Sequence, residues 1–284
     1  KVLQTIAGFG ALYGGIATCT YDLISAMHDI GFPLDLLTLE VKNSADKLMG
    51  KGEDWIKALP NDAVTPYEYS KRIAQYLKSH DYDLYHTNGL WMYCNHVTCS
   101  VARRKPYIIT PHGMLYPDAL HRSYWKKWPL IQLCFRNDIG CADCMHVTCK
   151  AEMEHVRNFG YRNPIAIIPN PANLPDYLDE VATAKPPFLG YDLPRKFGFL
   201  GRLHPIKKVE NLLYGVAKLP SPQDCELVIM GKGDDAYEQF LRSEVARLGL
   251  KNVKFSGFVS GREKFEQLAQ LSCLFVPSDF ENFA

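Results

Sequence analysis

Charge of one sign is what this chain lacks most: 32 Lys+Arg against 31 Asp+Glu in 284 residues leave a net charge of +1. That balance gives no long-range attraction to nucleic acid, and no nucleic-acid partner is expected. No apolar run reaches the ~18 residues that a membrane-spanning helix needs. Lys and Arg are absent between Lys1 and Lys42, and Val2 to Tyr21 carries no charge at all. Four glycines (Gly8, Gly10, Gly14, Gly15) interrupt that stretch, so it reads as a strand, a glycine loop and a helix rather than a signal peptide. No Asn-x-Ser/Thr acceptor occurs, and the nine cysteines are odd in number and scattered. A chain of this length needs no disulfide staples, so the thiols read as reduced and the address as cytoplasmic. One cluster, Cys141, Cys144, His146 and Cys149, has a Cys-x2-Cys spacing suited to zinc. It lacks a second knuckle, and strand alternation sets Cys149 on the face opposite Cys144 and His146. Buried strand cysteines are the reading, and no metal is expected.

What is present is a globular composition, 47% hydrophobic and 12% aromatic, in a length that suggests two domains. Strands and helices alternate in the manner of an α/β protein. VLQTI leads into the glycine loop and a helix whose Ile16, Cys19, Leu23, Met27 and Ile30 recur at helical spacing. LDLLTL, DLYHT, PYIITP, MHVTC and IAIIP read as further strands, with Lys42–Asp62 as a long loop and one long helix near Arg122–Arg136. Prolines 171, 175, 186, 187 and 194 mark a linker. The expected organisation is an N-terminal domain 1–170, a linker 171–195 and a C-terminal domain 196–284. The second domain restarts the rhythm with KFGFLG, ELVIMG, VKFSG and CLFVP and stops after few strands. It reads as incomplete, in a natural chain that continues past Ala284.

Two nucleotide fingerprints fail. A dinucleotide Gly-x-Gly-x-x-Gly from Gly8 would need glycine where Tyr13 stands, and a Walker loop would need Ser or Thr where Gly233 follows Gly231-Lys232. The stronger signal is FLGRLHPIK (Phe199–Lys207), which follows a buried strand at the end where α/β folds place ligands. Two cations five residues apart, Arg202 and Lys207, can clamp a diphosphate, although a solvated basic loop has the same appearance.

FLGRLHPIK, VIMGKGDD, VKFSGF and VPSDFENF, in that order and spacing, resemble the donor domain of retaining group 1 glycosyltransferases (family 4). In the first half the Gly14-Gly15 loop, YHTNG, TPHGM, VTCKAE and IIPNP match landmarks of the same family. The resemblance implies an α/β, GT-B fold, with two facing Rossmann-like domains, and transfer of a hexose-type sugar from a nucleotide-diphosphate donor. By that resemblance Arg202 and Lys207 bind the donor diphosphate, and Gly14 and Gly15 let backbone amides approach that phosphate or the acceptor. His112 contacts the donor hexose near the reacting carbon, and Glu281 is the first glutamate of a Glu-(seven residues)-Glu motif that holds the sugar. Gly231, Gly233 and the stretch near Phe258 approach the base, while Asn282 and Phe283 complete the donor motif. His112 and Glu281 are thus the expected catalytic residues. The co-substrate is a UDP- or GDP-linked sugar; no other cofactor is implied.

Three positions depart from the pattern. The second motif glutamate would fall eight residues past Glu281, beyond Ala284. Ala284 and Lys208 both stand where glycine is common. The acceptor expected from the resemblance is a saccharide or a lipid-linked sugar, in polysaccharide biosynthesis. HRSYWKKWP (His121–Pro129) combines basic and aromatic residues, which fits a peripheral contact with the inner membrane face or a packed amphipathic helix. His86 and Trp91 are acceptor-side candidates, with a satisfied strand-end histidine as the other reading of His86. Two other functions stay open: a GT-B sugar-nucleotide epimerase and a non-catalytic nucleotide-sugar-binding module.

Overall fold

The computed structural model describes residues 1–10, 13–42, 46–172, 174–183, 195–279 and 281. The chain divides into two compact units, the first running to residue 173 and the second starting at Leu174. The expected site residues Asn282 and Phe283, together with Ala284, lie outside the described residues.

In the first unit the elements follow in order: β1 (Val2–Ile6), α1 (Gly15–Asp29), β2 (Leu34–Leu39), β3 (Ile56–Leu59), α2 (Lys71–Ser79), β4 (Leu84–Asn88), α3 (Tyr93–Val101) and β5 (Tyr107–Thr110). They continue with α4 (Pro117–His121), α5 (Tyr124–Leu130), α6 (Arg136–Gly140), β6 (Cys144–Val147), α7 (Lys150–Phe159) and β7 (Ile165–Ile167). The strands form one parallel sheet of order β3-β2-β1-β4-β5-β6-β7. A parallel sheet is covered on both faces, so its inner strands need apolar residues at successive positions. All six residues of β2 are buried accordingly. Its one charge, Asp35, is matched by Lys1 Nζ at 2.6 Å and by the Tyr82 hydroxyl at 2.7 Å. Two apolar clusters, around Leu37, Tyr85 and Phe135 and around Phe9, Ile24 and Leu36, hold the unit together.

Two expectations need correction here. The stretch read as a long loop contains the edge strand β3, whose four residues are all half-buried and show no alternation. The single helix expected near Arg122–Arg136 is broken. Ser123 adopts a left-handed φ of 53°, Pro129 sits inside α5, and a π-helical turn (Ile131–Phe135) precedes α6. Proline removes a backbone donor from the helical ladder, and a wider turn is one way to absorb the loss.

The second unit contains α8 (Leu178–Thr183), β8 (Arg195–Leu200), α9 (Glu210–Ala217), β9 (Cys225–Met230), α10 (Asp235–Arg247), β10 (Val253–Gly257), α11 (Gly261–Ala269) and β11 (Cys273–Leu274). Its parallel sheet has the order β10-β9-β8-β11. Phe199, Leu213, Leu227, Ile229 and Leu241 make the main core on one side, and Val228, Met230, Val259 and Leu271 a smaller one on the other. α8 lies within the stretch read as linker. It packs against α11, with Arg262 reaching Glu180 at 3.1 Å and Tyr177 edge-on to Phe265 at 6.0 Å.

Candidate active site

Strand order reverses between β1 and β4 in the first unit and between β8 and β11 in the second. In open α/β sheets, ligands bind beyond the carboxyl ends of strands at such switch points. Gly14, Gly15 and His112 follow strands beside the switch of the first unit, and Arg202, Lys207 and Glu281 follow those at the switch of the second, while Gly231, Gly233 and Phe258 follow β9 and β10.

In the first unit β1 leads to Gly14 and Gly15, at the start of α1. Gly14 has φ 90°, a conformation other residues rarely adopt, and a side chain at either glycine would meet open space. Across the switch, β4 ends in His86-Thr87-Asn88, and β5 ends before Pro111-His112. His112 holds a left-handed φ of 50°, and its Nε2 lies 3.2 Å from Asn88 Oδ1. Asn88 Nδ2 in turn donates to Gln4 Oε1 at 2.8 Å. His86 Nε2 lies 2.6 Å from Thr110 Oγ1, which meets His146 Nδ1 at 3.0 Å. Burial, reinforced by the neighbouring histidines, pushes His86 down to about 3 and His112 down to about 4, so both imidazoles are neutral near pH 7. Trp91 is 9% exposed, edge-on to Phe135 at 5.3 Å, with φ 72°.

Sequence reading gave Glu152 no role, and the structure gives it one. Its carboxylate is 1% exposed and accepts from Gly113 N at 2.5 Å, Thr148 N at 2.8 Å and Thr148 Oγ1 at 2.9 Å. It thereby ties the left-handed His112-Gly113 turn to the start of α7. The available signal was a glutamate in the first turn of a helix, where carboxylates cap backbone donors.

In the second unit three loops are stitched together. Beyond β8, Gly201 N donates to Met230 O at 3.0 Å and Leu203 N to Lys232 O at 3.2 Å, while Asp234 N donates to Leu203 O at 2.9 Å. Asp234 then caps α10 through Tyr237 N at 2.9 Å. A Cβ at Gly231 would land on the Gly201 carbonyl oxygen and one at Gly233 on the Leu203 carbonyl oxygen. The fold itself therefore uses these glycines, and their identity is not by itself a sign of a ligand. The third loop, after β11, joins through Asp279 N to Ile206 O at 3.0 Å and carries Glu281. Glu281 forms an ion pair with Lys207 and accepts from Ser278 Oγ at 2.7 Å. Arg202 is exposed and has no carboxylate partner among the described residues. Lys208, where glycine was expected, takes the left-handed φ of 49° that makes glycine suitable there. Phe258 is 56% exposed just beyond β10.

The sequence matches two family models. Residues 13–175 fit Glycosyltransferase Family 4 and residues 184–284 fit Glycosyl transferases group 1. The chain belongs to the group 1 glycosyltransferases. Solved structures agree on the GT-B fold. Sucrose-phosphate synthase from Thermosynechococcus elongatus is similar with a TM-score of 0.74 at 19% identity, over 100% of this chain and 77% of that one. Anabaena HepE in complex with UDP-glucose gives 0.67 at 18%, over 99% and 74%. The lipopolysaccharide outer core galactosyltransferase WaaB, in its apo form, gives 0.66 at 19%, over 99% and 75%. No curated protein matches significantly.

Metal-ligand candidates in this glycosyltransferase are committed elsewhere. Its one Asp-x-Asp, Asp81-Tyr82-Asp83, precedes β4 at the opposite end of the sheet from His112, and Asp81 pairs with Lys105 at 2.9 Å. His146 is engaged by Thr110 and by the Ile168 carbonyl at 2.9 Å, and Cys149 by the Tyr116 hydroxyl at 3.6 Å. Cys141, expected to be buried in a strand, is exposed after α6. Among the described residues no three His, Cys, Asp or Glu side chains gather to hold a metal.

Proposed function

We propose that this glycosyltransferase moves a hexose-type sugar from a UDP- or GDP-linked donor to a saccharide or lipid-linked acceptor, with retention at the anomeric carbon and without a bound metal. The observation that carries the reading is the pairing of Lys207 with Glu281 beyond the switch point of the second unit, with Arg202 exposed on the same loop after β8. Two cations suit a diphosphate, and a carboxylate suits sugar hydroxyls. HepE, a structural neighbour, was crystallised with UDP and with UDP-glucose, which supports a nucleotide-sugar donor.

In this reading Arg202 grips the diphosphate with paired hydrogen bonds. Lys207 leaves Glu281 for the phosphate, and the freed carboxylate accepts hydroxyl hydrogens of the hexose. The bond from the anomeric carbon to the diphosphate oxygen breaks, its electron pair stays on the diphosphate, and fixed cations stabilise that charge. The acceptor oxygen forms the new glycosidic bond, and its proton passes to the departing diphosphate oxygen that has taken the electron pair. His112, neutral and held by Asn88, serves as a hydrogen-bonding group for the donor hexose.

The deciding experiment incubates the protein with UDP- and GDP-sugars, with and without saccharide acceptors. Acceptor-dependent release of nucleoside diphosphate, with an α-configured donor giving an α-linked product, is the expected result. An isomerised donor would mean an epimerase, and binding without turnover a non-catalytic module.

A contact with the inner membrane face is part of the same proposal. No helix among the described residues is long and apolar enough to cross a membrane. Trp125, Trp128 and Leu133 are 74%, 51% and 80% exposed beside Arg122, Lys126 and Arg136, a pattern suited to an anionic lipid surface. Lys127 is committed inward, to the Ala119 carbonyl. Replacing Trp125 and Trp128 by Ala should abolish co-sedimentation with anionic vesicles; sedimentation equal to wild type would remove the membrane from the proposal.

A further inference from the structure

One hydrogen-bond chain crosses the carboxyl ends of four neighbouring strands. It runs from His86 Nε2 to Thr110 Oγ1 (2.6 Å), from Thr110 Oγ1 to His146 Nδ1 (3.0 Å), and from His146 Nε2 to the Ile168 carbonyl (2.9 Å). Its far end has a fixed direction, because a carbonyl oxygen only accepts. His146 Nε2 therefore carries a hydrogen. In neutral His146, Nδ1 is then a bare acceptor, and Thr110 must donate its hydroxyl hydrogen to it. Thr110 has one hydrogen, so toward His86 its oxygen accepts. His86 must carry its proton on Nε2, which leaves Nδ1 as a lone pair with no donor against it among the described residues.

The adjacent network gives the same polarity. Asn88 Nδ2 faces Gln4 Oε1 and the Thr5 carbonyl, so Oδ1 is the atom facing His112. His112 thus donates from Nε2 and also keeps Nδ1 as an acceptor. Burial disfavours protonation of either ring. This carboxyl end of the sheet holds two imidazole acceptors whose tautomers are set by the partners of their Nε2 atoms.

We propose that Thr110 and His146 are positioning residues that hold His86 as its Nε2–H tautomer, so that Nδ1 accepts the hydrogen of a hydroxyl on the acceptor sugar. The proposal rests on the transferase reading and adds a chemical rule to it. At this contact the acceptor must offer a free hydroxyl, and the same position as a methyl ether or deoxy carbon is refused. A site built around a hydroxyl discriminates strongly against analogues lacking one, because its own polar atom is left unpaired.

Two measurements test it. In protein labelled with 15N-histidine, two-bond 1H–15N spectra report which ring nitrogen of His86 is protonated, with no need for turnover. Protonation at Nε2 is expected; protonation at Nδ1 overturns the proposal. Thr110→Val keeps the side-chain shape and breaks the chain, and should raise the acceptor KM at least tenfold while donor hydrolysis by water is unchanged. Thr110→Ser should restore the acceptor KM. An acceptor KM that ignores Thr110→Val overturns the proposal. Failure of the transferase reading would appear separately, as absent donor turnover in the unmodified protein.

Discussion

Lys207 and Glu281 neutralise one another while Arg202 stays exposed, so the three side chains should respond differently to substitution. Arg202→Ala removes charged hydrogen bonds to phosphate and should weaken nucleoside diphosphate binding by about 1.5–3 kcal/mol, with nucleoside binding unchanged. Lys207→Ala removes the second cation, a loss offset in part because binding no longer has to break the pair with Glu281. Adding Glu281→Gln to Lys207→Ala should recover part of that loss, and titration calorimetry on the double-mutant cycle reads the coupling. Equal losses for nucleoside and nucleoside diphosphate would indicate misfolding and refute the phosphate role. The charged residues were legible in the sequence because a strand, a basic loop and an acidic motif recurred in order. Their pairing was not, since 74 positions separate Lys207 from Glu281. Glu152 and Thr110 were missed for a related reason: each acts through partners on another element.

The left-handed turn after β5 depends on a single buried carboxylate. Glu152→Gln puts an NH2 group against backbone or hydroxyl donors, and a lost hydrogen bond to a charged group costs about 1.5–3 kcal/mol. Faster hydrogen exchange at Gly113 and a lower Tm are the expected readouts, with the donor KM rising as the His112 turn loosens. Acid should act on the same end of the sheet. His86 and His112 bind protons less readily folded (about 3 and about 4) than unfolded (~6.5), so the unfolded state takes up more protons between those values. Their contribution to stability is complete above about pH 6.5 and is lost as pH falls through about 4 toward 3. Urea midpoints measured against pH should fall over that window, and His112→Gln should flatten the upper part; an unchanged slope would place the acid sensitivity elsewhere. At this scale strongly periodic elements such as α1 and β2 were legible. β3 was not, because a four-residue edge strand carries no period, and α4–α6 were not, because one left-handed serine and one proline override the pattern.

Each unit has cores of its own, and Arg202 and Lys207, the two cations assigned to the diphosphate, both lie in the second. Calorimetry should therefore resolve two unfolding transitions. A nucleoside diphosphate at a hundredfold excess over its Kd stabilises the state it binds by about 2.7 kcal/mol, and only the transition of the second unit should rise. A shift of the first transition instead would relocate the diphosphate site. The two-unit plan was readable from the restart of the strand–helix rhythm at Lys196. α8 was not, because its six residues sit among prolines that mark a linker by composition.

The four glycines assigned to the donor or acceptor side fall into two classes, and a saturation library scored for abundance and for turnover would separate them. At Gly231 and Gly233 the neighbouring backbone already fills the place of a side chain. Every replacement there should disappear from the soluble pool before its catalysis can be asked about. Gly15 is flanked by empty space and begins a helix, so Gly15→Ala should accumulate as well as the parent or better. Cells carrying it would hold a full complement of protein with impaired activity. Such a variant is a dominant-negative candidate, because a folded copy can still occupy whatever docking place the active enzyme uses.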